Sequence, residues 1–151
     1  MWFERAGNFF AVPMDNLQEV LPVPALRPLP AADPALTGLI ALRDRVLPVF
    51  DPLILAGCST GPSAPAGSIV IVLKGDRHHG LALLAEKVGK IVELTSLDPL
   101  AAGARVPIAF AGESRLTDQR RLLIVEVGSL AQVMGLQEGD AADASGTATA
   151  Q

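Results

Sequence analysis

Residues 38–51 read Gly38-Leu39-Ile40-Ala41-Leu42-Arg43-Asp44-Arg45-Val46-Leu47-Pro48-Val49-Phe50-Asp51. Two short apolar runs, Leu39 to Leu42 and Val46 to Phe50, flank a basic–acidic–basic turn. Runs of this length bounded by turn residues read as strands, since a helix needs ten or more residues to show its period. The same punctuation recurs along the chain: 14 Gly and 12 Pro fall between short apolar runs. The spacing predicts many short strands rather than long helices.

Upstream, Trp2 to Arg5 and Phe9 to Val12 read as a strand pair across the turn Ala6-Gly7-Asn8, because Gly and Asn tolerate positive φ. Asp15-Asn16 resembles the cap of a short turn into Leu17 to Leu21, stopped by Pro22 and Pro24. Five prolines between Pro22 and Pro34 hold that stretch extended. Asp33-Pro34 reads as the start of a helix of one or two turns, ended by Gly38.

Downstream, residues 57–67 (GCSTGPSAPAG) read as a loop, and Ser68 to Lys74 as a β-branched strand. Gly75 to Gly80 reads as a hairpin loop, Gly80 to Ala85 as the return strand, and Val88 to Leu94 as its continuation with a kink at Gly89. Val106 to Phe110 and Arg121 to Val127 read as a further antiparallel pair around the polar segment Gly112 to Gln119. Ser129 to Met134 reads as a short closing helix, and residues 135–151 as a disordered acidic tail. The prediction is an all-β chain of about ten short strands, in one or two small barrels.

Composition narrows the functions. The 151 residues are 50% hydrophobic and 19% charged, so there is material for a core. Twelve Lys and Arg against 16 Asp and Glu give a net charge of −4, which argues against a nucleic-acid partner. One cysteine, Cys58, forms no internal disulfide and fits a reducing, cytoplasmic location. The longest pure apolar runs span five residues, against about 20 for a bilayer crossing, so no membrane insertion is expected.

Gly57-Cys58-Ser59-Thr60-Gly61 matches the G-x-S-x-G pattern of serine hydrolases. That chemistry needs a helix directly after the serine, and Pro62 and Pro65 prevent one. A hydrolase using Ser59 is therefore the disfavoured alternative. No basic residue lies within ten positions of Cys58, so nothing local lowers its pKa. His78-His79 would point to opposite faces of a strand and has no partner at ligand spacing. No catalytic residue, metal site or cofactor is expected. Arg43-Asp44-Arg45 stands out, as either a solvated turn or an interface anchor.

The stretch FFAVPMDNLQEVLPVPALRPLPAADPALTGLIALRDRVLPVFD, residues 9–51, is similar to the CheW coupling-protein family, whose signature stands here as Gly38 to Asp51. Gly80 to Val92 resembles the family's second-half strand, and Leu122 to Met134 its closing strand and helix. The similarity spans residues 1–134 by the order and spacing of these segments. Three positions depart from the pattern: Ala41 stands for the usual Asn, Asp44 for the usual Gly, and Glu86 for the usual Asp. Loss of Gly at position 44 removes a φ-permissive residue from the turn.

The resemblance implies two packed SH3-like barrels in a CheW-like domain over residues 1–134. It further implies a non-enzymatic adaptor between the cytoplasmic tip of methyl-accepting chemoreceptors and the regulatory domain of a CheA-type histidine kinase. A paralogue serving another chemosensory pathway, such as twitching motility, is the alternative. By position, Leu17, Glu19, Leu42, Arg43 and Val46 are the expected partner-binding residues. Barrel core is the competing fate for Leu17, Leu42 and Val46, and the favoured one for Val46.

Overall fold

Two five-stranded sheets packed face to face form the body of the protein, in a computed structural model that describes residues 1–28, 35–57, 66–74, 80–94, 97–99, 110–116 and 118–126. The strands are β1 (Trp2–Arg5), β2 (Asn8–Ala11), β3 (Leu17–Pro22), β4 (Leu36–Leu42), β5 (Arg45–Phe50), β6 (Ile69–Leu73), β7 (Leu81–Ala85), β8 (Lys87–Val88), β9 (Phe110–Arg115) and β10 (Arg121–Val125). A 3-10 turn (Met14–Asn16) precedes β3, and a single helical turn, α1 (Pro52–Leu55), follows β5. The first sheet has the order β8-β1-β2-β10-β9 and the second β3-β6-β7-β5-β4. Strands β3 to β7 are thus inserted as a block into the chain path of the first sheet.

The β1–β2 hairpin turns on two residues with positive φ, Ala6 at 50° and Gly7 at 79°, between the paired Arg5 and Asn8. This is the primed turn whose twist matches the flanking strands. Helix α1 starts because the Asp51 carboxylate accepts from the Leu53 N–H at 3.0 Å and Pro52 is preset for the first helical position.

The second sheet curls until its edges meet. After β3 the chain leaves β6, with the Val23 N–H still donating to Ser68 O, and crosses to β4. There Arg27 and Leu39 exchange two backbone hydrogen bonds of 2.8 and 2.9 Å. The approach at this crossing leaves no room for a side chain at Gly38, whose Cβ would meet the Arg27 carbonyl oxygen at 2.5 Å.

Strands β6 and β7 are buried on both faces. Ile71, Leu73, Leu81 and Leu83 face the core between the sheets, with Phe3, Phe10 and Phe50. Val70, Val72, Ala82 and Leu84 face the interior of the second sheet, with Ile40, Leu47 and Val49. Burial on both sides explains why these strands are continuous apolar runs instead of alternating ones. A third cluster, with Leu122 and Ile124 at its centre and Trp2 and Phe9 against it, lines the other face of the first sheet.

Several segments differ from the sequence expectation. Leu17 to Leu21 is not a helical turn but edge strand β3, because Leu17 and Val20 gain burial against the inter-sheet core. Leu36 to Gly38 belongs to β4 and not to a helix running from Asp33, since it pairs with Phe50 and Val49. The strand expected over Val88 to Leu94 is only two residues long; pairing with β1 ends at Val88, and the chain leaves the sheet where Gly89 lies flat against the Trp2 indole. The partner of β10 comes from the polar segment itself: β9 covers Phe110–Arg115, an edge strand with alternating burial. The expected strand residues 106–109, the Ser129 to Met134 helix, the 135–151 tail, Cys58, Ser59, His78 and His79 lie outside the described residues.

Candidate protein-docking site

The β4–β5 hairpin closes between paired Leu42 and Arg45, leaving Arg43 and Asp44 as a two-residue tip. The positive φ falls on Arg43, at 55°, and not on Asp44. The Asp44 replacement therefore removes no φ-permissive residue where one is needed, contrary to expectation. The left-handed geometry at Arg43 is held from outside the hairpin. Its guanidinium donates to both oxygens of Glu19, at 2.9 and 3.0 Å, in a bidentate fork. Hydrogen bonding from Arg43 holds the Glu19 carboxyl below the usual carboxylate range, and the same contact raises the Arg43 guanidinium. Glu19 lies on β3 and Arg43 directly follows β4, so the pair clips together the two edges of the curled sheet. The Arg43 side chain remains 66% exposed.

Val46 stands beside this clip and is 64% exposed, so it is not a core residue as expected. It pairs with Ala41 across the hairpin, and β-sheet alternation sends its side chain away from the interior that Leu47 and Val49 fill. Val46, Ala41, Leu39, Pro24, Ala25 and Arg27 line a largely apolar groove of about 460 Å³. Leu42, by contrast, is only 8% exposed and packs inside the second sheet. Leu17 is half-buried against the core between the sheets. The five expected residues therefore divide. Glu19 and Arg43 form one joined pair, Val46 flanks it on the outer surface, and Leu17 and Leu42 point inward.

A second group of exposed apolar side chains starts at β8 and continues along the segment after it, and no motif in the sequence marks it. Val88, Ile91, Leu94 and Leu97 are exposed, Ile91 to 67%, together with Met14 at the crossing between the sheets. Met14, Val92, Leu94 and Ile124 help line a shallow hollow of about 150 Å³. The signal was present as apolar residues every third position from 88 to 97, a spacing that fits neither a strand nor an α-helix.

The family model of the CheW-like domain matches residues 1–134. This chain belongs to the CheW-like domain family. Among solved structures it is similar to the crystal structure of the scaffolding protein TtCheW from Thermoanaerobacter tengcongensis, at 18% identity and a TM-score of 0.69, over 83% of this chain and 82% of that one. No curated protein sequence matches it. The CheW-like signature, Gly38 to Asp51, is thus the hairpin β4–β5 with the cap of α1, and its arginine is the residue at the strained tip.

A buried ionic cluster in this CheW-like domain also escaped the sequence reading. Arg5, 1% exposed at the end of β1, donates to Asp51 at 3.0 Å and to Glu86 at 3.1 Å. Its partners lie 46 and 81 residues away, a distance no local pattern reveals. Among the described residues no group of three or more His, Cys, Asp or Glu is placed to hold a metal, and no helix is long and apolar enough to cross a membrane.

Proposed function

We propose that this CheW-like protein is a non-enzymatic coupling adaptor that joins the regulatory domain of a CheA-type histidine kinase to the cytoplasmic tip of a methyl-accepting chemoreceptor. The observation that carries this reading is the apolar groove beside Val46, together with exposed apolar side chains elsewhere on the same β scaffold, Ile91 foremost. A face with Val46 at its centre and a polar rim of Arg43, Glu19 and Arg27 has the make-up of a protein interface: a desolvated anchor ringed by charge. It suits the kinase's regulatory domain, itself a β-barrel surface. The strip of Val88, Ile91, Leu94 and Leu97, with Met14, suits the apolar stripe of a receptor's helical hairpin. The protein works in the cytoplasm, beside the membrane and without entering it. Residues 135–151 take no part in docking.

Co-sedimentation with purified kinase regulatory domain and a receptor cytoplasmic fragment tests the reading. Arg43→Glu places a third carboxylate against Glu19 and Asp44, springs the hairpin tip and displaces Val46. Loss of kinase co-sedimentation, with the circular dichroism spectrum retained, is the expected result. Undiminished binding of both partners by a folded Arg43→Glu protein would remove Arg43 from the site. Use of kinases and receptors from a chemotaxis and a twitching-motility pathway in the same assay separates the two pathway assignments.

A further inference from the structure

The contact between the two sheets is mostly apolar, and among the described residues one cluster of ion-paired side chains crosses it. Phe3, Phe10 and Phe110 form a near-parallel stack on the first sheet, with centroid spacings of 5.4 and 6.0 Å and interplanar angles of 23°. They meet Phe50, Ile71 and Leu83 of the second. Apolar burial of this kind opposes separation, but its attraction is non-directional and less exacting about the angle between the layers than a hydrogen-bonded fork. That cluster is Arg5 with Asp51 and Glu86, beside a backbone hydrogen bond from the Glu86 N–H to Glu4 O of 2.8 Å. Each carboxylate accepts from a backbone N–H as well as from the arginine. Asp51 caps α1 through Leu53 with one oxygen and receives Arg5 with the other. Glu86 accepts from the Ala6 N–H at the β1–β2 turn and from Arg5. A guanidinium fork has fixed directions, so it locks position where apolar contact does not.

Stability alone does not account for this cluster. Burying a charged arginine is costly, and well-packed apolar replacements of buried ion clusters are often neutral or stabilising. The placement of the three residues points to another role. Asp51 follows β5, the strand that begins next to Val46. Glu86 precedes Val88, on the second exposed face, by two residues. Arg5 lies on β1, between β8 and β2 in the first sheet.

We infer that Arg5, through Asp51 and Glu86, is a positioning residue that fixes the two sheets, and so the two exposed faces, in a single mutual orientation. The consequence for assembly rests on the adaptor reading: a connector held at one angle can engage two fixed partners together, whereas a loose one binds each singly and loses the avidity.

The test uses the triple variant Arg5→Met/Asp51→Asn/Glu86→Gln, in which the amide oxygens still accept from Leu53 and Ala6 while the charges are gone. Spin labels are attached at Ala41→Cys and Ala111→Cys, two exposed strand alanines on opposite sheets, in a Cys58→Ser background. Pulsed electron–electron resonance on the free protein should give one narrow distance distribution in the parent and a broadened or displaced one in the triple variant. An unchanged distribution in a folded triple variant would overturn the inference. If the triple variant does not fold, Arg5→Lys keeps the charge and loses the fork; broadening supports the role and an unchanged distribution refutes it. In a pull-down, the ternary complex with kinase regulatory domain and receptor fragment should fall at least fivefold while each binary affinity stays within twofold. Parent protein that binds neither partner would defeat the adaptor reading and leave the distance result standing by itself.

Discussion

Val46 offers the sharpest separation between a docking residue and a core residue. It is already 64% exposed in the free chain, so about two-thirds of its burial remains available to a partner. Truncation to Ala removes two methyl groups, worth about 0.8 kcal/mol each on full burial. Two-thirds of that is about 1 kcal/mol, or a rise in Kd of about fivefold. Val46→Asp goes further, since docking would strip water from a carboxylate beside Ala41 and Leu39; a loss of more than tenfold is expected. Neither change removes a packed side chain, so folding stability should move by no more than about 0.5 kcal/mol. Isothermal titration against the kinase regulatory domain, paired with a thermal melt of each variant, measures both quantities. Unchanged affinity for Val46→Asp would refute the docking face, and a melt lowered by many degrees for Val46→Ala would show that Val46 acts in the fold instead.

Leu42→Ala should behave in the opposite way, losing about 2–5 kcal/mol of stability because it empties a packed site inside the second sheet; denaturant titration reads this directly. The Glu19 carboxyl should titrate below its ordinary value of 4.5 in carbon-detected NMR and return toward it in Arg43→Ala. A folded pKa that is lowered means that the Arg43–Glu19 clip contributes above pH 4.5 and is lost as pH falls through the lowered value. Gly89→Ala drives a methyl into the Trp2 indole, so a cost of about 1–3 kcal/mol is expected, with a shift in the emission of the chain's single tryptophan. Deletion of residues 135–151 should leave kinase and receptor binding within twofold in the same co-sedimentation assay.

The elements that the sequence revealed are those whose information is local. The β1–β2, β4–β5 and β6–β7 pairs were legible because turn residues and apolar runs sit side by side. The signature arginine was legible too, since Arg43 interrupts an apolar stretch. What was hidden depends on contacts far along the chain. Leu17 to Pro22 has weak alternation and gains its extended form only by pairing with β6. Strand β9 is an edge, buried only at every second residue, and so resembles a polar loop. Asp51-Pro52 carried the same capping signal as Asp33-Pro34, yet its brevity and its place at the end of a strand concealed α1. The burial of Arg5 could not be foreseen, because its carboxylates come from two other segments. Nor could the outward turn of Val46, which an apolar residue inside an apolar run does not announce.

Strands β6 and β7 act as a partition with a chamber on either side. Neither chamber can be cut out and kept, since removing one would strip the lining from the other. Melting should therefore proceed in one step for the whole body, and damage inside the curled sheet should be felt at the Ile91 face as fully as at the Val46 face. A connector made this way fails as a unit, so a half-working copy that grips one neighbour and ignores the other would have to arise from changes on its outer surface.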